Sequence, residues 1–182
     1  MTMKNLVFVL FVFVSQVLFS QLDNTAIQLV FVKVLNTYRI ENGLNPVKVN
    51  MDIQKTAKIQ SDYLSSTYYA YKDSSLRGKS GHFHPEYPNP SDRLRLVNPK
   101  LEESSLISEN MLMFTGGGLK SKTIEEFVKV IFESWKKSPD HNKIMLNPSI
   151  EYIGLSLSTK QVKVNVVTFD IYIAVLNLIS VI

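Results

Sequence analysis

The apolar residues of this chain change period once, and the change falls near Gly154. Before it, apolar side chains recur every three or four residues, the spacing of one helix face. Val30, Val34 and Tyr38 share such a face, with Ile27 and Phe31 beside them, and Phe127, Val130, Ile131 and Trp135 form another stripe. After it, Ile153-Gly154-Leu155-Ser156-Leu157 alternates, as do Val162, Val164 and Val166, and then Phe169, Ile171 and Ile173. Alternation is the signature of strands. Helices first and strands last predict an α+β domain with an antiparallel sheet.

Local signals divide the helical part. Leu22-Asp23-Asn24 offers N-caps for a first helix reaching Glu41-Asn42, and Gly43 suits the left-handed position that ends helices. The nearly unbroken apolar run Leu29 to Leu35 predicts that this helix is deeply buried. Asn50 or Asp52 caps a second helix through about Ser66, with Ile53, Ala57 and Tyr63 or Leu64 inward. A polar, Tyr-rich loop runs from Tyr68 to Gly81, and the prolines of residues 85–90 predict an irregular segment. Ser91 is placed to cap a short helix containing Arg93 and Leu94. Thr123 and Glu126 have capping-box spacing. Ser138-Pro139 ends that helix and opens another, with proline at the first helical position and His141 in the first turn.

The first five residues carry one positive charge, Lys4, followed by an apolar run from Leu6 to Phe19 and the small Ser20. This is the layout of a secretory signal peptide, with cleavage expected after Ser20 and a single domain from residue 21 to residue 182. The run is short for a membrane span, so no stable span is expected after its removal. The product would be secreted, extracellular or periplasmic. Cysteine is absent. An exported chain of this kind has no disulfide framework, thiolate metal site or cysteine nucleophile. Loss of Lys4 lowers the formal net charge from +4 to +3, and no basic cluster interleaves with aromatics, so nucleic acid is not an expected partner.

Residues able to titrate or bind polar ligands are concentrated in three segments: His82 to Arg93, Ser108-Glu109-Asn110, and Trp135 to His141. These hold all three histidines, and their separation points to one cleft assembled by folding. Glu109 stands at the start of an apolar run and must be paired if buried. His141 near a helix N-terminus has its cation disfavoured by the dipole, leaving the neutral imidazole that binds metal or acts as a base. His82 and His141 are candidate Zn²⁺ ligands, with Glu109 as third ligand or general base, although the local H-E-x-x-H pattern is absent. Arg93 is able to bridge a carboxylate, Trp135 belongs to the core, and Ser138 reads as a cap rather than a nucleophile. Gly116-Gly117-Gly118 lacks phosphate-loop spacing and reads as a turn.

Taken in order, these segments resemble the CAP superfamily of cysteine-rich secretory proteins, antigen 5 and pathogenesis-related proteins, in its cysteine-free bacterial branch. Asn36-Thr37-Tyr38-Arg39 with Gly43-Leu44-Asn45-Pro46 is similar to the family's N-x-x-R…G-L-x-P opening. His82 with Pro90-Ser91-Asp92-Arg93 resembles its H…P-x-D-R segment, and the eleven-residue separation selects His82 over His84. Glu109-Asn110 resembles E-N, Trp135 to His141 resembles W-x-x-S-x-x-H, and Ile153-Gly154-Leu155 resembles I-G-[VL]. The likeness covers about Thr25 to Ser158, while residues 160–182 depart from the family's aromatic-rich end.

The resemblance implies an α–β–α sandwich with a central antiparallel sheet and a cleft holding His82, Glu109 and His141, with Asn110, Arg93 and Ser138 around them. Many eukaryotic members place a second glutamate where this chain has Ser138, and Glu133 is the nearest substitute. The implied function is a binding module for a divalent metal, a small ligand, lipid or an extracellular protein partner. A metal-dependent hydrolase built on His82, His141 and Glu109 is the alternative, and a structural cell-surface domain the second. The apolar stretch Ile171 to Ile182 is expected to form a buried strand pair.

Overall fold

The computed structural model describes residues 23–67, 81–119 and 123–182. The expected signal peptide and all but Gly81 of the Tyr-rich loop lie outside these residues.

Helix α1 (Asn24–Glu41) starts where Asp23 accepts the backbone N–H groups of Thr25 and Ala26, both at 3.0 Å. Gly43 follows its end at φ 74°, a conformation that costs glycine little. Its buried stripe is Ile27, Phe31, Leu35 and Arg39, with Gln28 alongside. Leu29 and Ile40 remain 50% and 60% exposed, so the helix is amphipathic rather than deeply buried. Seven consecutive residues, apolar but for Lys33, pass through every face of a helix, and only one face meets the sheet.

After β1 (Lys48–Val49), helix α2 (Met51–Thr67) begins at Asn50, whose Oδ1 accepts from the N–H groups of Asp52 and Ile53. Its inward residues include Ile53, Ala57 and Leu64, whereas Tyr63 is only partly buried. Helix α3 (Pro90–Val97) starts two residues earlier than a cap at Ser91 would give. Asn89 caps it, with its N–H donating to Asp92 Oδ2 at 3.0 Å and Pro90 at the first helical position. Next come α4 (Pro99–Glu103), β2 (Ser105–Thr115) and a single 3₁₀ turn at Gly116–Gly118. Thr123 caps α5 (Ile124–Lys137) by accepting from Glu126 N–H. Ser138 separates α5 from α6 (Pro139–Met145). A long hairpin, β3 (Tyr152–Val164) and β4 (Val167–Val181), completes the described chain.

The strand order is β1-β3-β4-β2, with β1 parallel to β3 and the other pairs antiparallel. Helices cover both faces, giving the α–β–α sandwich. On one face, α1 and α5 pack on Leu155, Ala174, Leu176 and Leu178. On the other, α2 and α3 pack on Ile173, Val175 and Ile179. The apolar C-terminal stretch is one interior strand rather than a strand pair within itself. β4 lies between β3 and β2 with both faces covered, so Ile171 to Ile179 is buried without interruption.

Gly154 is where α2 comes closest to the sheet: a Cβ there would overlap the helix backbone at Ile53–Gln54. The side of β3 away from β4 is closed by amides. Leu155 N–H donates to Gln28 Oε1 at 2.8 Å, Gln54 Nε2 donates to Leu155 carbonyl at 3.2 Å, and Asn24 bonds both backbone groups of Leu157. These residues satisfy an edge strand that would otherwise invite pairing.

Candidate functional site

The N-x-x-R…G-L-x-P segment has a structural role. Asn36 accepts from Val47 N–H at 2.8 Å and donates to its carbonyl at 2.9 Å, mimicking a strand partner. Arg39 reaches across to donate to the carbonyls of Asn45, Met145 and Asn147 at 2.7 to 3.0 Å.

The candidate cleft lies at β2, the opposite edge of the sheet. Adjacent strand residues point to opposite faces, so Glu109 and Asn110 reach into different layers. Glu109, 7% exposed, faces α2 and α3. Its Oε2 accepts from fully buried Arg93 at 2.7 Å, and its Oε1 pairs with His82 Nδ1 at 2.9 Å. Asn177, opposite Glu109 on β4, adds a third partner in the amide orientation that its neighbours require: its nitrogen then donates to Oε2 at 2.9 Å while its oxygen accepts from Ala57 N–H at 3.2 Å. Asn110 points the other way, where its Nδ2 donates to the His141 carbonyl at 3.1 Å. One strand dipeptide therefore grips two segments far apart in sequence.

The His82 loop is held from several sides. Gln60 Nε2 donates to the carbonyls of Gly81 and Phe83, at 2.6 and 3.2 Å. Arg93 donates to the carbonyls of His82 and Tyr87, at 3.2 and 3.1 Å. His84 has an internal role. It is 8% exposed, lies between the Tyr63 and Tyr87 rings, and accepts at Nδ1 from the N–H groups of Glu86 and Tyr87. Burial, reinforced by the Arg93 charge, lowers its pKa, with Glu86 opposing. An acceptor nitrogen requires the neutral ring, and both effects maintain it.

His141 is partly buried at the start of α6, with Nδ1 2.8 Å from Ser138 Oγ. Its pKa is lowered, first by burial and then by the charge of His82, with Asp140 opposing. The direction is the one expected at a helix N-terminus, but its causes are burial and neighbouring charge rather than the helix dipole. Ser138 ends α5 and opens α6, yet its hydroxyl serves His141 rather than a helix N–H. Trp135 is core, 1% exposed and edge-on to Phe31, and its Nε1 has no hydrogen-bond partner among the described residues.

A catalytic zinc centre requires three protein ligands. Among the described residues, no three His, Cys, Asp or Glu side chains are grouped to hold a metal ion. Glu109 is a poor third ligand here because its two oxygens are already taken by Arg93, Asn177 and His82. Glu133 is no substitute: with Lys129, Val130 and Lys137 it lines a depression of about 640 Å³ along α5. Sequence reasoning missed Asn177, Gln60 and Tyr87. Asn177 had a signal, being a lone amide inside a strongly apolar run, and such a residue needs partners if buried.

No described helix is long and apolar enough to cross a membrane. The profile of the cysteine-rich secretory protein family (CAP) matches residues 32–176, running well into β4 and past the point where the motif likeness ended. Among solved structures, the chain is similar to an outer surface protein from Borrelia burgdorferi, at 16% identity and TM-score 0.49, covering 88% of this chain and 97% of that one. It is also similar to a cysteine-rich secretory protein from Staphylococcus aureus, at 19% identity and TM-score 0.48, covering 87% of this chain and 40% of that one. An SCP-domain extracellular protein from Bacillus anthracis gives 17% identity and TM-score 0.47, with 82% of this chain and 39% of that one covered. The chain thus spans about 40% of the length of the latter two. No curated protein gives a significant match. With the family profile matched over most of its length, the chain belongs to the cysteine-rich secretory protein (CAP) family.

Proposed function

We propose that the chain is exported with loss of residues 1–20, and that residues 21–182 act as one extracellular or periplasmic binding domain. Its recognition site would be the cleft of His82, Glu109 and His141, taking a small polar ligand or a polar group of a protein partner. The observation that supports this reading best is the commitment of Glu109. A general base needs a carboxylate able to take a proton from water, whereas here Arg93, Asn177 and His82 occupy it. The arrangement supports presentation of two oriented imidazoles. Nδ1 of His82 is directed at a carboxylate and Nδ1 of His141 at the Ser138 hydroxyl, so each ring is oriented by a polar partner. A lipid role would draw on adjoining surface, such as the depression of about 600 Å³ lined by Asp140, Lys143, Ile144, Leu146, Asn147 and Pro148.

Two measurements test the reading. Small carboxylate, phosphate and amide fragments are screened by NMR against the histidine ring signals. Hits are expected to shift His82 and His141 together, and hits that consistently leave both rings unmoved count against the cleft. Zinc-dependent hydrolysis of an activated ester is measured alongside. Activity that disappears in folded Glu109→Gln would replace the binding module with the hydrolase. For the metal, Zn²⁺ calorimetry on wild type, His82→Ala and His141→Ala decides, since equal heats in all three exclude the histidine pair.

A further inference from the structure

Asn42-Gly43 is the only asparagine–glycine step in the chain, and it stands at the exposed end of α1. The pair has a chemistry of its own. The backbone nitrogen after an asparagine can close a five-membered ring on the side-chain carbonyl carbon, Cγ. Glycine, without a Cβ, hinders that approach least. Asn45 lacks the same route, because Pro46 carries no N–H.

In the folded chain both partners of the closure are engaged. Gly43 N–H donates to the Ile40 carbonyl at 2.9 Å, and Asn42 Nδ2 donates to the Tyr38 carbonyl at 2.8 Å. Ring closure therefore requires the last turn of α1 to open. Ile40, Glu41, Asn42 and Gly43 are all exposed, and helix ends of this kind fray at little cost. The backbone just beyond is less tolerant of change. Leu44 N–H donates to the Arg39 carbonyl at 2.9 Å, and Arg39 Nε donates to the Asn45 carbonyl at 2.9 Å. The path from residue 39 to residue 45 thus sets one of the carbonyls that hold a buried guanidinium.

We propose that Asn42 is a site of spontaneous deamidation, gated by opening of the last turn of α1, and that its product loosens the Arg39 anchor. The Gly43 nitrogen, its proton passing to water, bonds to Asn42 Cγ; the Cγ–Nδ2 bond breaks and ammonia leaves. Water then opens the ring. Attack at Cγ gives aspartate with the original backbone. Attack at the main-chain carbonyl gives isoaspartate, in which the chain runs through Cγ and is one carbon longer. Nothing is oxidised or reduced. Aspartate places a negative charge at the negative end of the helix dipole and removes the donor to Tyr38. Isoaspartate lengthens the path between Arg39 and Asn45 and displaces the carbonyl that the guanidinium uses. None of this depends on what the histidine cleft binds.

The full chain and a free peptide of residues 40–48 are incubated side by side at mildly alkaline pH and body temperature. Residue 42 is followed by mass spectrometry on the tryptic fragment that Arg39 and Lys48 delimit. Aspartate and isoaspartate forms are expected to accumulate in the folded chain, several-fold more slowly than in the peptide. Ile40→Gly, which weakens the last turn at a position 60% exposed, is expected to speed the folded chain toward the peptide's rate. The purified isoaspartate form is expected to unfold at a lower urea concentration than the unreacted chain. An Asn42 that stays intact in the folded chain over many half-lives of the peptide overturns the proposal. Equal rates in chain and peptide, or a rate that Ile40→Gly leaves unchanged, overturn the gate. An isoaspartate form with an unchanged urea midpoint overturns the link to Arg39.

Discussion

Two guanidinium groups, Arg39 and Arg93, are completely buried, and their surroundings differ. Arg39 is bonded to backbone carbonyls, and burial lowers its pKa. Arg93 bonds two carbonyls and also the carboxylate of Glu109. Carbonyl dipoles suffice to keep a cation where its task is to join the end of α1 to the segment before β3. A counter-ion is present where the task is to place a carboxylate beside a histidine. The first arginine organises chain connections and the second organises a site.

Substitutions separate the two roles. The largest effect is expected for Arg39→Met, which strips partners from several buried carbonyls and should cost about 3–5 kcal/mol in urea denaturation. Glu109→Gln leaves Arg93 buried without its counter-charge but retains one accepting oxygen, so a loss of about 2–3 kcal/mol is expected. The double variant Arg93→Met/Glu109→Gln should lose clearly less than the sum of the single changes. Strict additivity would show that the pair is not an energetic unit and would erase the contrast with Arg39.

Asn177→Leu removes a partner of Glu109 and a link to Ala57 together, with an expected cost of about 1–3 kcal/mol. An unchanged His82 ring signal in this variant would mean that Asn177 does not help to position the cleft. A smaller effect concerns pH. His84 and His141 both have folded pKa values below their ordinary value, so the unfolded chain binds protons first on acidification. Stability is therefore fully present above about pH 6.5 and declines as pH falls below that value toward the folded pKa values. His84→Gln should flatten part of this decline, and an unaltered slope in pH-dependent denaturation would reassign it to other groups.

Much of the architecture was legible because its signals are local. Asp23, Gly43 and Ser138-Pro139 mark helix ends through bonds within a few residues, and alternation after Gly154 marks strands directly. The burial of α1 was not legible, because an apolar run does not reveal which face meets the sheet. The position of β4 was equally hidden: an unbroken apolar strand can pair on either side, and long-range register decides. At the site, the motif residues were legible by type and order. Gln60 and Gln54 were not, because an amide that closes a strand edge or supports a loop has no characteristic spacing, whereas Asn177 stood out only as a lone amide in an apolar run.

Glu109 and Asn110 occupy neighbouring positions on an edge strand and face opposite ways, which has a consequence for the order of assembly. The β3–β4 hairpin closes through a short turn, but β2 must find β4 across the whole of α5, α6 and β3, a slower and entropically costlier closure. A slip of one residue would turn Glu109 toward α5 and α6 and Asn110 toward α3, so the candidate cleft has no half-correct version. Pulsed hydrogen exchange during refolding should accordingly find β3–β4 protected before β2. The histidine cleft would then be the last part of the molecule to form, and anything bound there would report that the sheet had reached its final register.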